Sequence, residues 1–109
     1  MKRILLSALA VMTVIAHPLM AKKNTPNELK VMSYNIRLGV ADDGTNSWKY
    51  RCPATIEMLK DQKPDVFGVQ EAFDFQIAFI NEFCNEYKSA GVGRDDGKKK
   101  GEHMSIFWN

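Results

Sequence analysis

Hydrophobic and polar positions follow several different periods along this chain, and each change of period marks an expected element. Residues 4–16 form a predominantly apolar, uncharged run, preceded by Met1-Lys2-Arg3 and followed by His17, Pro18 and a small residue at Ala21. A positive start, a short apolar run and a small residue after it form the pattern of a secretory signal peptide, whereas a membrane-spanning helix needs ~20 apolar residues. Residues 1–21 are therefore expected to be cleaved on export to the periplasm or the extracellular space. That leaves 22–29 as a polar tether and 30–109 as a partial domain with no stable membrane insertion. No Cys lies near the cleavage point, which argues against a lipoprotein.

Beyond the tether, residues 29–36 alternate and are rich in β-formers at Val31, Tyr34 and Ile36, so a strand is expected there. Gly39, Asp42-Asp43-Gly44 and Asn46 give 37–47 the chemistry of turns. Pro53 suits a first helical turn, and Ile56 and Leu59 follow at helical spacing, so a helix is expected over 52–62, closed by Gln62-Lys63-Pro64. Residues 65–70 are a short apolar run that ends abruptly in the carboxylate of Glu71, the pattern of a strand buried on both faces. Strand, crossover helix and strand in that order predict two parallel neighbours.

Asp74 is the expected N-cap of a second helix, with Phe75, Phe79, Ile80, Phe83, Cys84 and Tyr87 on one core-facing stripe. A third strand is expected over 87–92, a polar loop with three glycines over 93–101, and a fourth strand over 104–108. That fourth strand runs to Asn109 with nothing after it, so an open sheet edge and an unburied face are expected. The ~80 residues of βαβαββ pattern are close to the size at which one core is marginal. The pattern reads as the first part of a larger α/β domain.

Charge adds little. Without Lys2 and Arg3, 13 basic residues face 13 acidic ones, so the formal +2 of the whole chain disappears and nothing calls for a polyanion partner. Lys98-Lys99-Lys100 reads as a solvated loop, and Asp42-Asp43-Gly44 and Asp95-Asp96-Gly97 read as turns without the spaced ligands of a calcium loop. Cys52 and Cys84 are expected on helices or helix ends as free thiols, although export permits a bridge.

Asn35 and Glu71 carry the candidate chemistry. Ligands of open α/β sheets collect beyond the carboxyl ends of strands, and both residues stand at such ends. One amide and one carboxylate are hard oxygen donors of low charge, suited to Mg²⁺ or Mn²⁺ that keeps its waters and takes further ligands from a phosphate. A helix cap and a turn residue account for the same two residues without a metal.

Ser-Tyr-Asn-Ile-Arg at 33–37, followed by Pro-Asp-Val-Phe-Gly-Val-Gln-Glu at 64–71, resembles the paired signature of the endonuclease/exonuclease/phosphatase superfamily, the deoxyribonuclease-I-like fold. The resemblance implies the N-terminal half of a four-layer α/β sandwich from a secreted bacterial member. By the same resemblance Glu71 would be the main metal ligand and Asn35 its companion, directly or through water. Glu102 would be the acid that orients a catalytic histidine, and Arg94 would touch substrate phosphate. His103 does not match the catalytic histidines of the family. The implied activity is Mg²⁺- or Mn²⁺-dependent hydrolysis of a phosphoester, from nucleic acid, a phospholipid head group or a sugar or inositol phosphate. The family's later "G-D-x-N" and "S-D-H" motifs do not occur in the 109 residues, so the chain alone is expected to be inactive. The alternative is a non-catalytic exported α/β module that binds a partner through its open edge, or a decayed gene product.

Overall fold

The computed structural model describes residues 27–109; the expected signal peptide and the tether up to residue 26 lie outside the described residues. The elements are β1 (Val31–Asn35), a 3₁₀ turn (Gly44–Asn46), α1 (Trp48–Gln62), β2 (Val66–Ala72), α2 (Asp74–Phe83), β3 (Lys88–Ala90) and β4 (His103–Trp108). The strands make one mixed sheet in the order β1-β2-β4-β3, with β1 parallel to β2 and β4 antiparallel to both of its neighbours. The parallel pair follows from the crossover helix α1, as the order of elements predicts.

Alternation along the strands gives the sheet one covered and one open face. Phe67, Val69 and Phe107 point to the covered face, where they join Trp48, Ile56 and Leu59 of α1 and Ile80 of α2 in a single buried cluster. Phe67 stacks on Phe107 with ring centroids 4.6 Å apart and meets the edge of Tyr87 at 5.0 Å. Each such aromatic, fully withdrawn from water, contributes about 1.5–3 kcal/mol. The Tyr87 hydroxyl completes the layer by donating to the Pro64 carbonyl at 2.6 Å. On the other face Val31, Met104, Ile106 and Trp108 are exposed, Met104 by 79%.

An unburied face is thus present, but the expected open edge at the fourth strand is not. β4 lies inside the sheet, hydrogen-bonded to β2 and β3, and the edges are β1 and β3. Strand order depends on pairings far apart in sequence, which local periodicity does not encode.

Both helices begin differently from expectation. α1 starts at Trp48, ahead of the expected residue 52, because the Ser47 carbonyl already accepts from Tyr50 N (2.9 Å) and Arg51 N (3.3 Å). Burial of the Trp48 ring, edge-on to Phe79 at 5.7 Å, holds this first turn in the helix. Pro53 therefore sits inside α1 rather than in its first turn. Lacking an N–H, it leaves the Lys49 carbonyl without its helical partner, and the Cys52 thiol approaches that oxygen at 3.7 Å. α2 has Phe73, not Asp74, at its N-cap position; the cap comes from Gln76, whose amide oxygen accepts from Phe73 N at 2.9 Å.

The expected stripe of α2 is met in part: Ile80, Cys84 and Tyr87 are buried in the core and Phe79 packs against it. Gln76 and Ile80 are buried, while Phe75 and Phe83 are each 46% exposed. Cys84, at the end of α2, and Cys52 are both free thiols, and burial raises the Cys84 pKa. No helix among the described residues is long and apolar enough to cross a membrane.

Candidate metal centre

The carboxyl ends of β1, β2 and β3 and the amino end of β4 all lie at one edge of the sheet, by the parallel and antiparallel pairings. Asn35 closes β1 there, paired in register with Gln70. β2 does not stop at the carboxylate as expected but runs on to Ala72. Between Val69↔Ser105 and Ala72↔His103 its register slips, so Gln70 and Glu71 together oppose Met104. This is a β-bulge, a device that re-aims one side chain. Glu71 takes a left-handed backbone, φ +60°, at a cost of roughly 1–2 kcal/mol for a residue with a Cβ.

The bulge brings the Glu71 carboxylate to Asn35, whose Nδ2 donates to Oε1 at 3.0 Å. The amide's orientation follows from its other partner. Arg37 N can only donate, and it lies 2.9 Å from the Asn35 oxygen, which turns the amide nitrogen toward Glu71. Arg37 is itself left-handed, φ +64°. Two non-glycine residues in this sparsely populated region, Glu71 of the pair itself and Arg37 two positions after Asn35, mark a site that its surroundings hold under strain.

The loop after β1 is fastened from three directions. Arg37 grips Asp43 through Nε at 3.1 Å and Nη2 at 2.9 Å. This pairing raises the Arg37 pKa and lowers that of Asp43, with the hydrogen bond the largest cause in each, and the Glu71 charge adds to the rise at Arg37. Arg51 of α1 donates from Nη1 to the Ile36 carbonyl (3.0 Å) and from Nε to the Asn46 carbonyl (2.6 Å). Its buried Nη2 has no protein partner among the described residues. Gln76, wholly buried, accepts from Gly39 N at 2.9 Å and donates to the Arg37 carbonyl at 3.0 Å.

Arg94 and Glu102 stand at the same sheet edge but engage each other. The guanidinium donates to the Glu102 carboxylate at 3.1 Å, and Arg94 N to the Glu102 carbonyl at 2.9 Å. With Gly91, Val92 and Met104 they line a cleft of about 380 Å³. His103 is buried, its Nε2 3.1 Å from the Lys99 carbonyl. The two Asp-Asp-Gly segments hold turns: Asp42 accepts from Gly44 N, and Asp96 accepts from Lys98 N and Lys100 N, which lowers the Asp96 pKa.

Among the described residues no group of three His, Cys, Asp or Glu side chains could hold a metal ion. Chemically, the pair offers one oriented carboxylate, with Oε1 occupied by Asn35 and Oε2 accepting no hydrogen bond from the described residues. Arg51 and Gln76 carry no motif of their own, and Arg37 closes the Ser-Tyr-Asn-Ile-Arg segment without a role assigned to it from the sequence. Gln76 could have been noticed as a polar residue at a buried position of the α2 stripe.

Sheet, crossover helix and strand-end pair together define part of a deoxyribonuclease-I-like α/β fold. The structure is similar to an endonuclease/exonuclease/phosphatase from Bacteroides vulgatus, with 33% identity over 74% of this chain and 30% of that one, and a TM-score of 0.67. A family protein from Bacteroides thetaiotaomicron matches with 41% identity over 74% of this chain and 30% of the other, TM-score 0.69. A mannosyl-6-phosphatase from Bacteroides thetaiotaomicron matches with 40% identity over 75% and 32%, TM-score 0.70. No protein-family model matches the chain, and no curated protein sequence is significantly similar to it. The chain belongs to the endonuclease/exonuclease/phosphatase superfamily. It matches about a third of the length of these structures.

Proposed function

We propose that this chain contributes the metal-binding part of a divalent-metal-dependent phosphoester hydrolase. The observation that carries the reading is the Asn35–Glu71 contact at 3.0 Å, made across two parallel strands by a bulge. Mg²⁺ or Mn²⁺ fits such a donor set, because these ions bind through one or two carboxylates and complete their shells with water and phosphate oxygen. Glu71 would hold the ion through Oε2, and Asn35, its own oxygen bonded to Arg37 N, would orient Glu71 or act through a water. When bound, the ion would neutralise and polarise a scissile phosphate.

Arg94 would give up its contact with Glu102 for a phosphate oxygen, and Glu102 would then be free to orient a base. Among nucleic acid, phospholipid head groups and sugar or inositol phosphates, the likeness to a mannosyl-6-phosphatase favours a phosphorylated sugar. Residues 1–21 would direct the protein out of the cytoplasm.

Titration of the 109-residue chain with Mn²⁺, followed by electron paramagnetic resonance, tests the site. A saturable site that disappears in Glu71→Gln is the expected result. Identical titrations of the two proteins overturn the reading.

A further inference from the structure

A buried amide is costly unless its donors and acceptors are met, and Gln76 occupies a position on α2 where an apolar residue would pack without that cost. Its side chain is fully buried and makes three hydrogen bonds: from Phe73 N at 2.9 Å, from Gly39 N at 2.9 Å, and to the Arg37 carbonyl at 3.0 Å. These partners are not scattered. Arg37 is the residue whose N–H fixes the Asn35 amide. Phe73 follows Glu71 by two positions, just past the bulge. One side chain therefore ties the segment after Asn35 to the segment after Glu71; Arg37 in the first of these, and Glu71 itself just ahead of the second, have left-handed backbones. The close approach depends on Gly39, where a Cβ would lie 2.6 Å from the Gln76 side-chain carbon.

We propose that Gln76 is the positioning residue of the cation site, holding Arg37 and Phe73 so that Asn35 and Glu71 stay in contact. The proposal rests on reading Asn35 and Glu71 as a metal half-site. Groups that orient a ligand from outside the coordination shell typically change metal affinity by about 10- to 100-fold when removed. By linkage, a cation bound at Glu71 must in turn stabilise the hydrogen bonds that shape its site.

Two measurements test this. In the first, Mn²⁺ affinity is compared among the wild type, Gln76→Met, which keeps the volume and loses the hydrogen bonds, and Ile80→Val, which loosens the same helix from its buried face. The expected result is affinity at least about tenfold weaker in Gln76→Met and unchanged in Ile80→Val. Equal affinity in wild type and Gln76→Met, or an equal loss in both variants, overturns the proposal.

The second uses the wild type alone, so it stands even where Gln76→Met does not fold. Amide exchange is followed by NMR with and without Mg²⁺, and the Gly39 and Phe73 amides are expected to slow on binding. Unchanged exchange at both, with the ion bound at Glu71, overturns the proposal. A wild type with no cation site lost in Glu71→Gln instead sinks the metal half-site reading itself, and the two failures are distinct.

Discussion

Asn35 and Glu71 are hydrogen-bonded at 3.0 Å although Asn35 stands in register with Gln70, not with Glu71. The extra residue that β2 inserts opposite Met104 supplies the missing step. Removing the amide should therefore affect the carboxylate more than the fold. Asn35 is exposed, so Asn35→Ala is expected to change stability by no more than ~0.5–1 kcal/mol while weakening Mn²⁺ binding about tenfold. Parallel urea melts and Mn²⁺ titrations measure both, and a variant that melts early yet binds normally contradicts this assignment.

The strained backbone at Glu71 gives a second test. Within a strand, Gly is usually less stable than Ala by roughly 0.5–1 kcal/mol. At φ +60° the order should reverse, because Ala keeps the Cβ that left-handed backbone disfavours by roughly 1–2 kcal/mol. Glu71→Gly is expected to melt above Glu71→Ala, with neither binding a cation. The usual order, Ala above Gly, would show that the bulge carries no strain.

How much of this was legible depends on the range of the interaction. The parallel pairing of β1 and β2 follows from the crossover helix between them, and the structure places the Asn35 and Glu71 side chains together although β2 runs one residue past the carboxylate. The bulge between them left no trace, since bulges of this kind are signalled by Gly and the sequence has Gln70-Glu71. Pro53 misled because its preference for a first turn is weak beside the burial of Trp48. Ile80, Cys84, Tyr87 and Phe79 of the expected stripe do meet the core, while Phe75 and Phe83 lie at its margins, which spacing alone does not distinguish. The interior place of β4 is a property of pairing with β2 and β3, which only the folded sheet decides.

Acid should loosen the loop after β1 before it unfolds the sheet. The Asp43 pKa is held below its ordinary 3.8, chiefly by the hydrogen bond from Arg37. A carboxylate with a lowered folded pKa contributes stability that is fully present above the unfolded value and is lost as pH falls through the folded value. The contribution of the Arg37–Asp43 pair should therefore be complete above about pH 4 and vanish progressively below it. NMR titration of the Asp43 carboxyl, with amide exchange over residues 37–47, follows the change. Asp43→Asn should flatten the pH dependence of that loop, and a loop equally dependent on pH in the variant would assign the effect elsewhere.

Gly39 is required for space rather than for its backbone angle. A Cβ there would overlap the Phe75 ring and lie 2.6 Å from the Gln76 side-chain carbon. Overpacking of this kind typically costs about 1–3 kcal/mol, and Gly39→Ala is expected to fall in that range by denaturant unfolding. Because half-exposed Phe75 can swing away while buried Gln76 cannot, Phe75→Ala should recover only part of the loss. Full recovery in the double variant would mean that Gln76 is not in the way.

Catalysis needs more than a held cation. In-line hydrolysis of a phosphoester also requires a group that takes a proton from the attacking water. Among the described residues, His103 is buried against the Lys99 carbonyl and Glu102 is paired with Arg94. Both are thus engaged by other partners, and no group of three His, Cys, Asp or Glu side chains that could hold a metal occurs among the described residues. The 109-residue chain is accordingly expected to show no Mg²⁺-dependent turnover of p-nitrophenyl phosphate or its bis ester. Substituting residues 27–109 for the matching third of the Bacteroides thetaiotaomicron mannosyl-6-phosphatase is expected to give a chimera with phosphatase activity. Glu71→Gln should abolish that activity without unfolding the chimera. A folded chimera that keeps its full activity after Glu71→Gln would remove the carboxylate from the chemistry, whereas turnover by the unaided chain would show that its own residues supply the missing base.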